Sequence, residues 1–144
     1  MKNISLAESY LLKAKKRLRI LDVLMEEESY SDVVREAQEI VELALKGILR
    51  HIGIEPPKQH DVGGLLLEYR DRLPQEVENS AQTLAQISKW LRKEREFAFY
   101  GDIDFIPSLE YSREDGERAR RDAHFVVTMA EKVIEKPFPG KNFH

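Results

Sequence analysis

Residues 30–53, YSDVVREAQEIVELALKGILRHIG, form the stretch that decides the fold of this 144-residue chain. Apolar residues recur in it at intervals of three and four, which is the spacing of one face of an α-helix. They are Val33/Val34, Ala37, Val41, Ala44/Leu45, Ile48/Leu49 and Ile52. Gly53 follows them, and glycine is common just after a helix end. The stretch therefore predicts a long amphipathic helix that starts near Ser29 and stops at Gly53.

Upstream of this stretch the sequence predicts a first helix. Ser5 and Glu8 have the spacing of a capping box, in which the hydroxyl and the carboxylate accept hydrogen bonds from backbone amides of the first turn. Apolar residues follow at helical spacing to about Glu27. The order of cap, apolar stripe and polar end is typical of a helix that packs one face against a core.

Downstream, residues 54–60 contain two prolines, which prevent helix and predict a rigid loop. Asp61 predicts the cap of a short third helix that extends to about Arg72. We expect His60 and Asp61 to be structural residues that close this loop onto the third helix. Pro74 suits the first turn of a long fourth helix, which is predicted to reach about Tyr100.

The last helix also has a clear start. Ser112 and Asp115 predict its cap, and Pro137 ends it. No segment alternates convincingly at a period of two, so no strand is predicted. The predicted fold is all-α: an antiparallel up-and-down helical bundle of four long helices plus one short helix, over residues 1–136, with a flexible C-terminal tail at 137–144.

Composition excludes several classes of function. The chain has no cysteine, so disulfides, thiol nucleophiles and Cys-ligated metals are excluded. Its four histidines are scattered, and the acidic residues near the last loop are better explained as caps than as Mg²⁺ ligands, so we predict no metal and no cofactor. No apolar run approaches the roughly 18 residues of a membrane span. The prediction is a cytoplasmic protein with no membrane partner.

The net charge of −3 disfavours a general polyanion binder. Basic residues nevertheless form an early and a late cluster, which we expect to be solvated helix faces. The early cluster is Lys13, Lys15, Lys16, Arg17 and Arg19, and the late one is Arg118, Arg120 and Arg121.

One arginine of the fourth helix stands out. At about 100° per residue, Arg95 lies near the centre of an apolar face formed by Val77, Leu84, Ile87, Leu91 and Ala98. Burying an unpaired guanidinium costs several kcal/mol. Arg95 therefore needs a carboxylate, a ring of carbonyls or an anionic ligand such as a phosphate. The candidate carboxylates are Asp102 and Glu94 of a second chain, and Tyr100 adds a further polar group beside the arginine.

Three stretches together resemble the HEPN family of small helical bundles, which is named for nucleotide binding. They are the amphipathic helix at 30–46, the loop with its His-Asp and Leu-Leu pairs at 53–66, and Arg-Glu-Phe-Ala-Phe-Tyr-Gly-Asp at 95–102. The likeness spans about residues 8 to 135. It implies a bundle that dimerises around the two long helices carrying the arginine motif.

The resemblance also implies a chemistry, from which this chain departs at one position. Catalytic HEPN members are metal-independent ribonucleases with an Arg-x(4–6)-His motif paired across the dimer. Here Tyr100 stands where the histidine would, and an unperturbed tyrosine, with a pKa of about 10, is a poor general base near neutrality. Tyr100 can still hold a phosphate or a ribose hydroxyl, or stack on a base. Arg118 and His124 also fit the spacing, but they lie in the wrong helix and we discount them.

The interpretation we favour is a homodimeric nucleotide- or RNA-binding module in which Arg95, Tyr100 and Asp102 hold a phosphate. The resemblance implies that such plain, single-domain HEPN chains work with a minimal nucleotidyltransferase in a pair of toxin–antitoxin type. The alternative is a metal-independent endoribonuclease with a degenerate Arg-x4-Tyr centre, whose catalytic candidates are Arg95 and Tyr100. A third alternative is a structural dimer in which Arg95 only fixes the register.

Overall fold

The computed structural model describes residues 5–56, 58, 61–99 and 110–135, with the side chains of 96–99 left aside. The helices in this part are α1 (Leu6–Glu26), α2 (Tyr30–His51), α3 (Val62–Glu68), α4 (Gln75–Glu78), α5 (Ala81–Phe99) and α6 (Arg113–Ile134). A 3₁₀ turn at Arg70–Arg72 follows α3, and these ranges contain no strand. The all-α prediction is confirmed. The predicted tail at 137–144 lies outside the described residues, so the domain boundary stays a prediction.

Helix α2 is the centre of the bundle. It packs against α1, α5 and α6, while α3 lies mainly against α5. Side-chain pairs define the directions: Lys15 of α1 meets Glu131 near the end of α6, whereas Asp22 meets Arg120 near its start. These two helices are therefore antiparallel, and the long helices alternate in direction as the up-and-down prediction requires.

The core is aliphatic and is built mainly from α2. Among its fully buried side chains are Leu11 and Leu21 of α1, Ile40 and Leu45 of α2, and Leu91 of α5. Close packing of such residues, at roughly 1.5–3 kcal/mol for each large apolar side chain buried, is the main term that stabilises the bundle. None of the described helices has the length and apolar character needed to cross a membrane.

The predicted helix ends are largely confirmed. The Ser5–Glu8 pair forms a complete capping box at the start of α1, with Glu8 N donating to Ser5 Oγ over 3.0 Å. Ser112 and Asp115 form a second one at the start of α6. Gly53 follows α2 with a φ of 88°, a backbone conformation that glycine adopts without strain.

The prediction of one continuous fourth helix from Pro74 was wrong. The chain forms the short α4, turns at residues 79–80, and starts α5 at Ala81. Asparagine and serine at the turn compete with the helix for backbone hydrogen bonds, and the Ser80 carbonyl accepts the first bond of α5, from Leu84 N. Val77 is buried, but it belongs to α4 and not to the apolar face of α5.

Candidate functional site

Arg95 lies near the end of α5 and reaches across to α2. Its Nη2 atom is 3.0 Å from Oε1 of Glu39, and the Arg95 side chain is 49% exposed. The sequence predicted that this guanidinium is buried at the centre of an apolar face, whereas in the structure about half of the side chain is exposed. The predicted need for a carboxylate is met by Glu39, a residue 56 positions away that the sequence argument did not identify.

A second arginine approaches the same part of α2 from the other side. Glu36, one turn before Glu39, is buried and accepts a hydrogen bond of 2.7 Å from Nε of Arg17 in α1. This hydrogen bond raises the pKa of Arg17, and the negative charge of Glu39 raises it further. Residues three apart on a helix are neighbours. Arg17 and Arg95 therefore flank one pair of carboxylates from opposite sides.

The two ion pairs differ in how firmly they hold their arginines. Glu36 is buried, so removing Arg17 would leave a carboxylate with little access to water. Arg95 and Glu39 are both partly exposed, and such pairs contribute only about 0.2–1 kcal/mol. An incoming anion can therefore bind Arg95 in place of Glu39 at the loss of only this weak ion pair.

Glu94, the residue before Arg95 on α5, has a hydrogen-bond partner of its own. Its carboxylate accepts a hydrogen bond of 2.8 Å from the hydroxyl of Tyr111, a residue just before α6. Burial, and then the hydrogen bond to Glu94, raise the pKa of Tyr111, so the phenol stays protonated and remains a donor. This pair ties the end of α5 to the start of α6 and leaves Glu94 engaged within its own chain.

The HEPN domain family model matches residues 7–134. The chain belongs to the HEPN family. A protein of Methanocaldococcus jannaschii named "Putative toxin MJ1304" is 24% identical to it over 143 residues, which cover 94% of this chain and 93% of that protein.

Two crystal structures share the HEPN fold of this chain. TT1696 from Thermus thermophilus superposes with a TM-score of 0.68 at 21% identity, over 90% of this chain and 98% of TT1696. ST0689, described as an archaeal HEPN homologue, superposes with a TM-score of 0.66 at 21% identity, over 91% of this chain and 97% of ST0689. At this level of identity the two structures establish the fold alone.

Two of the three predicted site residues of this HEPN chain, Tyr100 and Asp102, lie outside the described residues. Their place beside Arg95 stays a prediction from the sequence. His60 also lies outside that part of the chain. Asp61 is described: its Oδ1 accepts a hydrogen bond of 3.1 Å from Gly63 N at the start of α3, and it lies 3.3 Å from Arg92 Nη1 of α5. The cap predicted for Asp61 is therefore present, with an ion pair added.

Arg118 and His124, which fit the Arg-x(4–6)-His spacing, lie elsewhere in the bundle of this HEPN chain. The Arg118 guanidinium lies 4.0 Å from the centroid of the Trp90 ring, and Trp90 Nε1 donates to Asp122 Oδ2 over 2.9 Å. His124, on the same helix, is exposed. Arg118 thus contributes to the contact between α5 and α6, remote in sequence from the arginine motif of the family.

No group of three or more histidine, cysteine, aspartate or glutamate side chains within the described ranges is arranged to hold a metal ion. A cleft of about 440 Å³ lies where the start of α1 meets the end of α2, lined in part by Ser5, Arg50 and Glu55. At 1.5 Å per residue, Arg50 is about 16 Å along α2 from Glu39. This cleft is therefore separate from Arg95.

The sequence reasoning missed Glu36 and Glu39. A signal for them exists, because glutamates recur at every third position of α2, at 36, 39 and 42, on a helix that is otherwise mostly apolar. That spacing indicates a carboxylate stripe along one side of the helix. It does not indicate which cations the stripe meets.

Proposed function

We propose that this HEPN chain is a homodimeric nucleotide- or RNA-binding module, and that it works with a minimal nucleotidyltransferase in a pair of toxin–antitoxin type. In this proposal Arg95 anchors a phosphate, and Tyr100 and Asp102 shape the site around it. One observation supports the site most directly: Arg95 is about half exposed and, among the described residues, pairs with one partly exposed carboxylate, that of Glu39. The name of the Methanocaldococcus relative supports the toxin–antitoxin context.

The chemistry of arginine suits this role. Its planar guanidinium can donate to two phosphate oxygens at once, which an ammonium group cannot match. A phosphate that approaches Arg95 must displace Glu39. Since an exposed ion pair is worth at most about 1 kcal/mol, a bidentate contact to a doubly charged anion can outweigh it.

The dimer is part of the proposal because the family resemblance implies pairing around the helices that carry the arginine motif. In such a dimer two copies of Arg95 would approach each other and repel. Glu39 in each copy offsets part of that repulsion, and a bound anion would offset the remainder. The site would then be most complete when two chains and a phosphate are present together.

Binding to ATP and to a short single-stranded RNA, measured by calorimetry, tests the site. Arg95→Lys keeps the positive charge but loses the planar guanidinium that can donate to two phosphate oxygens. We therefore expect binding to weaken by more than roughly 1 kcal/mol, the scale of one charge-assisted hydrogen bond. Arg92→Lys is a matched control, because Arg92 lies on the same helix and pairs with Asp61 instead. Equal binding by folded wild type and Arg95→Ala would remove Arg95 from the site.

Incubation with labelled RNA separates the proposed function from a ribonuclease. The purified chain is incubated alone, with the minimal nucleotidyltransferase encoded beside it, and with that nucleotidyltransferase and ATP. A binding module leaves the RNA intact in every arm. Cleavage by the chain alone that is lost in Tyr100→Phe would instead establish the endoribonuclease with an Arg-x4-Tyr centre.

A further inference from the structure

The described helices leave a groove along α2, with α1 as one wall and α5 as the other. Both helices pack against α2, whereas α1 and α5 make at most slight contact with each other in the described ranges. The side of α2 between them is polar, and its half-buried charged residues follow at steps of four, three and four: Arg35, Glu39, Glu42 and Lys46. Residues at these steps share one face of a helix. The ion pair of Arg95 and Glu39 therefore lies in this groove.

The α1 wall of the groove contributes Arg17, which uses one edge of its guanidinium group. Its Nε atom lies 2.7 Å from Oε2 of Glu36, and its Nη2 atom lies 3.5 Å from Oε1. Nη1 forms no hydrogen bond with any residue that the structure describes, and the Arg17 side chain is 43% exposed. Because a guanidinium group carries its N–H donors in a fixed plane, the other edge stays available while Glu36 holds the first. Arg17 is thus a fixed cation with a free edge.

Glu39 marks the position at which an anion interacts with both arginines. Its Oε1 atom is 3.0 Å from Nη2 of Arg95. The hydrogen bond to Glu36 is the main cause of the raised pKa of Arg17, and the negative charge of Glu39 raises that pKa further. Glu39 therefore also lies within electrostatic reach of Arg17. An anion that replaces the Glu39 carboxylate would lie between two guanidinium groups.

We propose that Arg17 is a second phosphate-binding residue of the Arg95 site, and that the site takes a terminal phosphate in preference to a phosphodiester. This inference rests on the proposed function, because it requires that Arg95 binds phosphate. A terminal phosphate has three unsubstituted oxygens and carries roughly two negative charges at neutral pH, whereas a phosphodiester has two such oxygens and one charge. Each arginine can donate to two oxygens at once. Three oxygens can accept from both arginines, whereas the two oxygens of a diester are engaged by one.

The charges around this position suit a doubly charged phosphate. Lys13, one turn before Arg17 on α1, is exposed and has no partner among the described residues. Residues four apart on a helix are neighbours. Once a phosphate has displaced the Glu39 carboxylate toward solvent, it lies beside the cations Lys13, Arg17 and Arg95 and the carboxylate of Glu36. Three positive charges and one negative charge leave two positive charges, which balance a terminal phosphate and exceed the charge of a diester.

AMP and 3′,5′-cyclic AMP form a matched pair for the test, because they share the base and the ribose and differ in the phosphate. Calorimetry on the wild-type chain is expected to show that AMP binds at least about tenfold more tightly, the effect of roughly one charge-assisted hydrogen bond. Equal affinities, or tighter binding of cyclic AMP, would overturn the inference. Absence of AMP binding by a chain whose RNA binding depends on Arg95 would also overturn it, and the proposed function would then remain.

A short RNA distinguishes the two sources of a terminal phosphate, which are a free nucleotide and the end of an RNA chain. The same RNA is titrated once with a 5′-phosphate and once with a 5′-hydroxyl group. Binding of the 5′-phosphate form that is tighter than that of AMP, and about tenfold tighter than that of the 5′-hydroxyl form, supports an RNA end as the ligand. Equal binding of the two RNA forms, with the preference for AMP over cyclic AMP intact, supports a free nucleotide.

Arg17→Met together with Glu36→Leu removes the second arginine and leaves no buried carboxylate unpaired. The preference for AMP over cyclic AMP should fall from about tenfold to about twofold or less, because Arg95 alone binds both phosphates through two oxygens. Arg120→Met together with Asp22→Leu is the matched control, since that ion pair joins α1 to α6 away from the groove. Arg17→Lys keeps a positive charge beside Glu36 but has no second planar edge. It should lower the preference in the same way without repacking the helix contact.

The outcomes separate the role of Arg17 from that of Arg95. A preference that is lost in both Arg17 variants and kept in the control supports the site with two arginines. An unchanged preference in the Arg17 variants, with binding still lost in Arg95→Ala, would overturn the role of Arg17 and leave the proposed function in place. Binding that survives Arg95→Ala would overturn the proposed function, and this inference with it.

Discussion

Gly63 of α3 lies directly against the backbone of Ala85 in α5. A β-carbon placed on Gly63 would lie 2.9 Å from the Ala85 α-carbon and 3.2 Å from its carbonyl oxygen. Only a residue without a side chain allows this approach. The contact sets how closely α3 can approach α5, the helix that carries Arg95.

Gly63→Ala is therefore expected to destabilise the protein by about 1–3 kcal/mol, the usual cost of overpacking a well-packed contact. Gly64→Ala is the matched control. A β-carbon at Gly64 would meet only the exposed side chain of Asp61, 3.3 Å away, so the stability should change little or rise slightly. Thermal unfolding of both variants checks this. Similar unfolding temperatures for the two would mean that α3 and α5 are not held in close contact at Gly63.

The sequence predicted the elements of this fold well because their signals are local. The capping boxes at Ser5 and Ser112 and the stop at Gly53 each depend on residues within one turn of a helix end. The break between α4 and α5 was missed because Val77 happens to continue the apolar period of α5 across the turn. Periodicity alone cannot distinguish one bent helix from two helices whose apolar faces point to the same core.

The candidate site was predicted less completely, for a different physical reason. Periodicity shows which face of its own helix Arg95 occupies, but not which helix that face meets. Glu39 lies 56 residues earlier in the chain. Only the packing of α5 against α2 brings the two together. The cost of burying an unpaired guanidinium predicted that Arg95 needs a partner such as a carboxylate. It could not predict that the carboxylate belongs to Glu39.

The structural role of Asp61 leads to a second prediction. Asp61→Asn keeps an oxygen that can cap α3 but removes the charge that faces Arg92. We expect it to cost a few tenths of a kcal/mol, because exposed ion pairs contribute about 0.2–1 kcal/mol. Asp61→Ala also loses the cap and should cost about 1 kcal/mol more. Chemical denaturation measures both values. Unchanged stability in Asp61→Ala together with lost ligand binding would assign Asp61 to the site instead.

Tyr111 should make the protein sensitive to alkaline pH. Burial and the hydrogen bond to Glu94 raise the pKa of Tyr111 above its usual value of about 10. Above that pH the unfolded chain releases the proton while the folded chain keeps it. The unfolded state then binds fewer protons, and the free energy of unfolding falls as pH rises. Below that pH the contribution of Tyr111 is fully present and does not depend on pH.

Tyr111→Phe isolates this effect from the other groups that titrate in the same range. The variant lacks the hydrogen bond to Glu94, so it should be less stable than wild type by about 1 kcal/mol near neutral pH. That difference should shrink steadily above a pH of about 10, since only the wild type loses stability through Tyr111. Denaturation of both proteins at several pH values checks the trend. A difference that stays constant with pH would show that Tyr111 titrates normally.

Glu39 occupies the position at Arg95 that we propose for a phosphate. Because the two anions compete, removing the charge of Glu39 should raise the affinity for the phosphate. Glu39→Gln removes the anion that holds Arg95 and also removes the repulsion between that carboxylate and an incoming phosphate. We therefore expect ATP or RNA to bind more tightly, by up to about fivefold, which corresponds to an exposed ion pair of about 1 kcal/mol.

Glu42→Gln is the control, because Glu42 lies one turn further along α2 and pairs with Lys46 instead. Calorimetry at two salt concentrations measures both variants, and the gain should be larger at low salt because ions screen exposed charges. Weaker binding in Glu39→Gln would mean that Glu39 orients Arg95 for its ligand and does not compete with it.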